Sequence, residues 1–114
     1  MVTASAPIQM DIAIAGNEAL HFVVGFAAAV QEGYLLQAQL ITPDGVRMTL
    51  ITTHDPLTGD VTCHLDQPVI AAILGAALAV RCPWDLLLKP GVAYAIRPFY
   101  GIISITRGVT LWAV

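Results

Sequence analysis

Gly59-Asp60-Val61-Thr62-Cys63-His64-Leu65-Asp66-Gln67-Pro68-Val69-Ile70-Ala71-Ala72-Ile73-Leu74-Gly75 is the stretch that decides the fold class. Val61, Cys63 and Leu65 alternate with Thr62 and His64, the period-two pattern of a strand with one face buried. The period then changes. Asp66 or Gln67 serves as the helix cap, and Pro68 falls in the first turn, where its missing N–H costs nothing. Val69, Ile70, Ile73 and Leu74 supply an apolar stripe at helical spacing, with Ala71 and Ala72 on the far side. Gly75 ends or weakens the helix. A strand running directly into one short helix, with no second helix pattern elsewhere, points to a mainly β domain.

Working outward, strand patterns continue on both sides. Upstream, Ile8, Met10, Ile12 and Ile14 alternate with polar or small residues. Gly16-Asn17 punctuates, and Leu20, Phe22, Val24 and Phe26 alternate again. Leu36, Ala38 and Leu40 give a third strand, and Pro43-Asp44-Gly45 is a turn leading into a partner strand over Arg47 to Thr53. The segment Ala27 to Glu32 reads equally as a helical turn or an apolar loop. Downstream, a strand over Trp84 to Lys89 precedes a Pro90-Gly91 turn and a long return strand from Val92. Pro98 and Gly101 interrupt that return, which predicts a bulge or an edge position. Trp84 and Tyr94 flank the turn as a cross-strand pair. The sum is an immunoglobulin-like antiparallel β-sandwich of seven to eight strands with one short helix. The chain, residues 1–114, reads as a single domain with its core over about 8–110.

Composition narrows the function classes. Apolar residues make up 57% of the chain and charged residues only 11%, against about 25% in average soluble domains. So few charges leave little polar surface to cover an isolated monomer. The longest uncharged apolar run, Pro68 to Val80, is shorter than the about 20 residues of a spanning helix, so no membrane partner is expected. Met1-Val2-Thr3-Ala4-Ser5 has no basic n-region followed by an apolar h-region, so no secretory leader is expected. The formal net charge is −3, and Arg47, Arg81, Lys89, Arg97 and Arg107 are scattered singly. Without a basic stripe to neutralise phosphates, nucleic acid is not an expected partner. These considerations favour a subunit whose outer faces are buried by neighbours, and hence a homo-oligomer.

Candidate chemistry is sparse. There is no Gly-x-Ser-x-Gly elbow and no glycine-rich phosphate loop, so no catalytic and no cofactor-binding residues are expected. Cys63 and Cys82 read as reduced, buried thiols rather than a zinc pair or a disulfide. His54 and Asp55 adjoin on a loop while His21 and His64 lie on strands. Spacing alone does not bring them together, so they read as structural or solvent-facing and no metal is expected. Asp55, Asp60 and Asp66 are too spread for a calcium loop and suit turns and caps. The expected interface residues are Pro98, Phe99 and Tyr100 on the outer return strand, with Leu111, Trp112 and Val114 in the apolar tail.

Taken in order, these motifs resemble a family of phage virion modules related to the N-terminal domain of siphophage baseplate upper proteins. The matching pieces are the Phe-bearing strand Leu20-His21-Phe22-Val23-Val24 and the pair Gly33-Tyr34 before the third strand. Gly59 to Leu74 matches a glycine-led strand feeding an alanine-rich helix, and Trp84-Asp85-Leu86 an aromatic-Asp-Leu strand. Gly101 to Thr110 matches a final strand with a mid-strand glycine that closes on Val-Thr. The match spans about Ile8 to Thr110, each piece being only a few residues long. Before Gly33 the family carries a Leu-Thr or similar pair, where this chain has Gln31-Glu32. The resemblance implies a non-enzymatic virion structural protein, assembled in the host cytoplasm. It would act in a tail, baseplate, neck or fibre attachment, with other virion structural proteins as partners. Because no coiled-coil or fibre extension follows the module, it implies a separate small protein. A capsid decoration protein is the alternative, and a small enzyme or metal-binding domain using His54 and Asp55 a more distant one.

Overall fold

A computed structural model describes residues 8–25, 35–55, 57–89 and 96–108. Within them the chain is mainly β, with two sheets and one helix. The strands are β1 (Ile8–Gln9), β2 (Ile12–Ala15), β3 (Leu20–Gly25), β4 (Leu35–Ile41), β5 (Arg47–Thr49), β6 (Ile51–His54), β7 (Asp60–Leu65), β8 (Ala79–Lys89) and β9 (Ile96–Thr106). The helix α1 (Gln67–Leu74) lies between β7 and β8. The larger, six-stranded sheet runs β1-β9-β8-β4-β5, with β2 also on β9, and the smaller runs β3-β7-β6. The sandwich expected from the alternation is the fold observed.

Two expected strands are each divided, which gives nine strands among the described residues rather than seven or eight. The run from Arg47 to Thr53 changes sheets at Leu50. β5 pairs with β4, β6 pairs with β7, and Leu50 between them is buried while its N–H donates to the Ala38 carbonyl. A strand that passes from one sheet to the other in this way closes one side of a sandwich.

The second division lies between β1 and β2. Both pair with β9 in parallel, unlike every other pairing in the two sheets. Met10 N–H donates to the Tyr100 carbonyl, so a regular parallel ladder would next have Ile102 N–H donate to the Met10 carbonyl. Instead Ile102 N–H donates to Asp11 Oδ1 at 3.0 Å, and the Met10 carbonyl accepts the Trp84 indole N–H at 2.9 Å. Trp84 is the cross-strand partner of Gly101, so its ring passes over a position without a side chain. A Cβ at Gly101 would lie 2.0 Å from the Met10 carbonyl oxygen. Gly101 therefore marks a close approach on an interior strand, not an edge. The bulge expected near Pro98 is present, because Arg97 and Pro98 together stand opposite the single residue Leu87.

β8 begins at Ala79, five residues before the expected Trp84, and takes in the end of the apolar run. Its pairing with β4 stops at Leu40↔Trp84, next to Pro83, which has no N–H for a ladder. Asp66 occupies the α1 N-cap position without a side-chain cap bond, and Gly75, at φ 58°, terminates the helix. Ile70 and Leu74 turn inward from α1, while Ala71 and Ala72 stay exposed as expected. Between the sheets, Phe22 of β3 meets Trp84 of β8 edge to face at 5.0 Å between centroids. Such a pair contributes about 0.5–1.5 kcal/mol beyond its buried area. The expected Trp84–Tyr94 pair involves Tyr94, which lies outside the described residues, as does Ala27–Glu32.

Candidate assembly surface

The outer face of the larger sheet follows from strand phase. Cys82, Trp84 and Leu86 point into the core, so Pro83, Asp85 and Leu87 point out. The same logic on β9 puts Phe99, Ile103 and Ile105 inward and Tyr100 and Ile102 outward. On β4, Ala38 and Leu40 face in, leaving Leu35, Gln37, Gln39 and Ile41 outside, with Gln37 opposite Leu87. Register then aligns Gln9, Tyr100, Asp85, Gln39 and Thr49 in one row across five strands. Ile102 and Pro83 stand opposite each other in the next row.

This face mixes polar positions with several outward apolar side chains. Leu35 is 65% exposed and Leu87 38%, on adjacent strands β4 and β8. A shallow depression of about 330 Å³ lies over the sheet, bordered by Ile41, Pro83, Tyr100, Ile102 and the charged Asp85, Arg47 and Arg97. The Arg97 guanidinium stacks over the Tyr100 ring at 5.0 Å, which holds the ring in place. No ion pair joins Asp85 to Arg47 or Arg97 among the described residues. The strands under this face differ in length, with β8 and β9 of 11 residues at its centre, β4 of 7 beside them, and β1 of 2 and β5 of 3 at its margins.

Of the expected interface residues, Pro98 and Tyr100 are half-buried and Tyr100 lies on this face. Phe99 is a correction: it is 7% exposed and belongs to the core, because it shares the phase of Ile103 and Ile105. Leu111, Trp112 and Val114 lie outside the described residues. Sequence reasoning missed Leu35, Ile41, Leu87 and Ile102. The runs Leu35-Leu36, Leu86-Leu87-Leu88 and Ile102-Ile103 carried the signal, since they are apolar at both strand phases, as in strands covered on both faces.

The titratable candidates separate. Asp55 Oδ1 accepts the Leu57 N–H at 2.9 Å, and this backbone bond chiefly holds its carboxyl below the usual range. It builds a turn, and no hydrogen bond joins it to the His54 side chain among the described residues. His54 turns toward the core, where its Nε2 is buried without a partner among the described residues. Cys63 and Cys82 are free and fully buried; burial pushes the Cys63 thiol up to about 11 and raises that of Cys82. On the outer face of the smaller sheet, His64 Nε2 lies 2.7 Å from Asp66 Oδ1, and His21 is its cross-strand partner. Among the described residues no group of three or more His, Cys, Asp or Glu side chains has metal-binding placement. No helix there is long and apolar enough to cross a membrane, which bears on helices alone.

No protein-family model matches the chain, and no curated protein matches it in sequence.

Proposed function

We propose that this chain is a bacteriophage virion structural protein that joins parts of a tail, baseplate, neck or fibre attachment through its sandwich faces. The observation that carries the reading is the set of apolar side chains on the outer face of the larger sheet, with Ile41, Pro83, Tyr100 and Ile102 around the depression and the exposed Leu35 and Leu87 beyond the Gln39–Asp85 row. Contiguous exposed apolar patches beyond a few hundred Å² are rare on soluble monomers and mark interfaces. The virion placement draws on the motif order from about Ile8 to Thr110, which resembles the baseplate-upper-protein module. These outward apolar side chains suit homo-oligomerisation and contact with other virion proteins alike.

The test has two parts. Sedimentation of the purified protein should show association at micromolar concentration, and Leu35→Asp with Leu87→Asp should weaken it while leaving the far-UV circular dichroism unchanged. A stable monomer at high micromolar concentration, with the double variant indistinguishable from it, refutes self-assembly. A tagged copy expressed during infection should co-sediment with intact particles; its exclusion from them refutes the virion reading.

A further inference from the structure

We propose that His21 and His64 form a two-imidazole site for a late first-row divalent cation of the Zn²⁺ class, oriented by Asp66. The site lies on the smaller sheet, away from the outer face of the larger one, and does not rest on the virion reading. β3 and β7 pair antiparallel with His21 directly opposite His64, both on the outer face. Their ring centroids are 6.2 Å apart and the planes meet at 70°. A metal–nitrogen bond of about 2.0–2.1 Å places each ring centre roughly 3.2 Å from a shared cation. Two such rings are about 5.2 Å apart at the tetrahedral angle and about 6.4 Å apart when collinear. The observed separation lies at the wide end of that range. His21 is exposed, so a small side-chain rotation closes the angle.

Asp66 makes the arrangement more than a histidine pair. Its Oδ1 is 2.7 Å from His64 Nε2, and its side chain does not cap α1 although it stands at the N-cap. A carboxylate accepts only, so the proton of the neutral imidazole sits on Nε2, and Nδ1 keeps the lone pair a metal needs. A ligating histidine whose other nitrogen donates to a carboxylate is the usual outer-shell arrangement of a metal site. No described Arg opposes a cation on this face. Arg47 and Arg97 border the depression on the larger sheet, Arg81 shares the outward phase of Pro83 and Asp85 there, and Arg107 donates to the carbonyls of Gly75 and Ala77. Imidazole pairs select Zn²⁺, Ni²⁺ or Cu²⁺ over the oxygen-seeking Mg²⁺ and Ca²⁺. Water or an added carboxylate fills the remaining positions.

Calorimetric titration of the whole chain with ZnCl₂ in a non-chelating buffer tests this, with MgCl₂ as the comparison. One equivalent of Zn²⁺ should bind, with no heat from Mg²⁺. His21→Ala and His64→Ala should abolish binding, whereas Asp66→Asn should weaken it about 10–100-fold. His54→Ala should bind as wild type does. Imidazole resonances of His21 and His64, followed by NMR in the wild type, should be the ones that move, which keeps the test independent of any variant's folding. No binding by wild type, or unchanged binding in His21→Ala, overturns the site. Half an equivalent overturns the within-chain chelate in favour of a cation bridging two copies. Full affinity in Asp66→Asn overturns the orienting role.

Discussion

Gly101→Ala is the substitution that tests the parallel docking of β1 and β2 on β9. The added Cβ would stand 2.0 Å from the Met10 carbonyl oxygen, 2.7 Å from its carbonyl carbon and 2.9 Å from Asp11 Oδ1. Two of these three atoms are backbone, so no side-chain rotation relieves the contact. The Met10–Asp11 segment must move off β9, which strains the Trp84 indole bond to Met10 and the Ile102 N–H bond to Asp11. Overpacking of this kind costs about 1–3 kcal/mol. A weakened hydrogen bond adds about 1 kcal/mol. The sum, about 2–4 kcal/mol, corresponds at about 4 °C per kcal/mol to a Tm lowered by about 8–16 °C. Gly25→Ala is the matched control: among the described residues its Cβ would meet only Asp60 Oδ1, at 3.4 Å, and Tm should move by no more than about 2 °C. Differential scanning calorimetry of the two variants against wild type provides the measurement. If Gly101→Ala melted with wild type, β1 and β2 would not lie on β9 as described, and the account of Trp84 would fall with them.

Trp84→Ala should cost about 3–5 kcal/mol in urea denaturation, because it empties the centre of the core and removes the Phe22 contact. Trp84→Phe keeps most of the packing but leaves the Met10 carbonyl unpaired, so a cost of about 1–3 kcal/mol is expected; a loss equal to that of Trp84→Ala would show that the bond to Met10, not packing, dominates. The Cys63 thiol is raised to about 11 in the folded chain, so in alkali the unfolded state loses its proton first and stability falls between about pH 8.5 and 11. Cys63→Ala should show a shallower fall over that window, and identical pH profiles would mean the thiol is accessible in the native state.

Strand phase explains what was legible in this sequence. β3 and β7 alternate so regularly that Leu20, Phe22, Val24, Val61, Cys63 and Leu65 all proved to be core, and Pro68 and Gly75 bracket α1. Phase says nothing about which strand lies alongside or in which direction. Met48, Leu50, Thr52 and His54 all face inward, so the chain changes sheets at Leu50 without breaking its alternation, and no residue marks the crossing. The parallel pairing of β2 with β9 is silent for the same reason, since Ile12 and Ile14 would alternate equally against an antiparallel neighbour. Phe99 was different, because Ile103 and Ile105 already fix the phase of the final strand and require Phe99 to turn inward and Tyr100 outward. Grouping Pro98, Phe99 and Tyr100 as one surface ignored that constraint. The histidine pair depended on information that no local pattern carries. His21 and His64 are brought together by the register of β3 on β7, and a one-residue slip would send His64 to the core face and leave a buried, unpaired imidazole. Burial of Cys63 and Leu65 on the opposite phase prevents that slip, so the core that fixes the fold also fixes the outer-face pair.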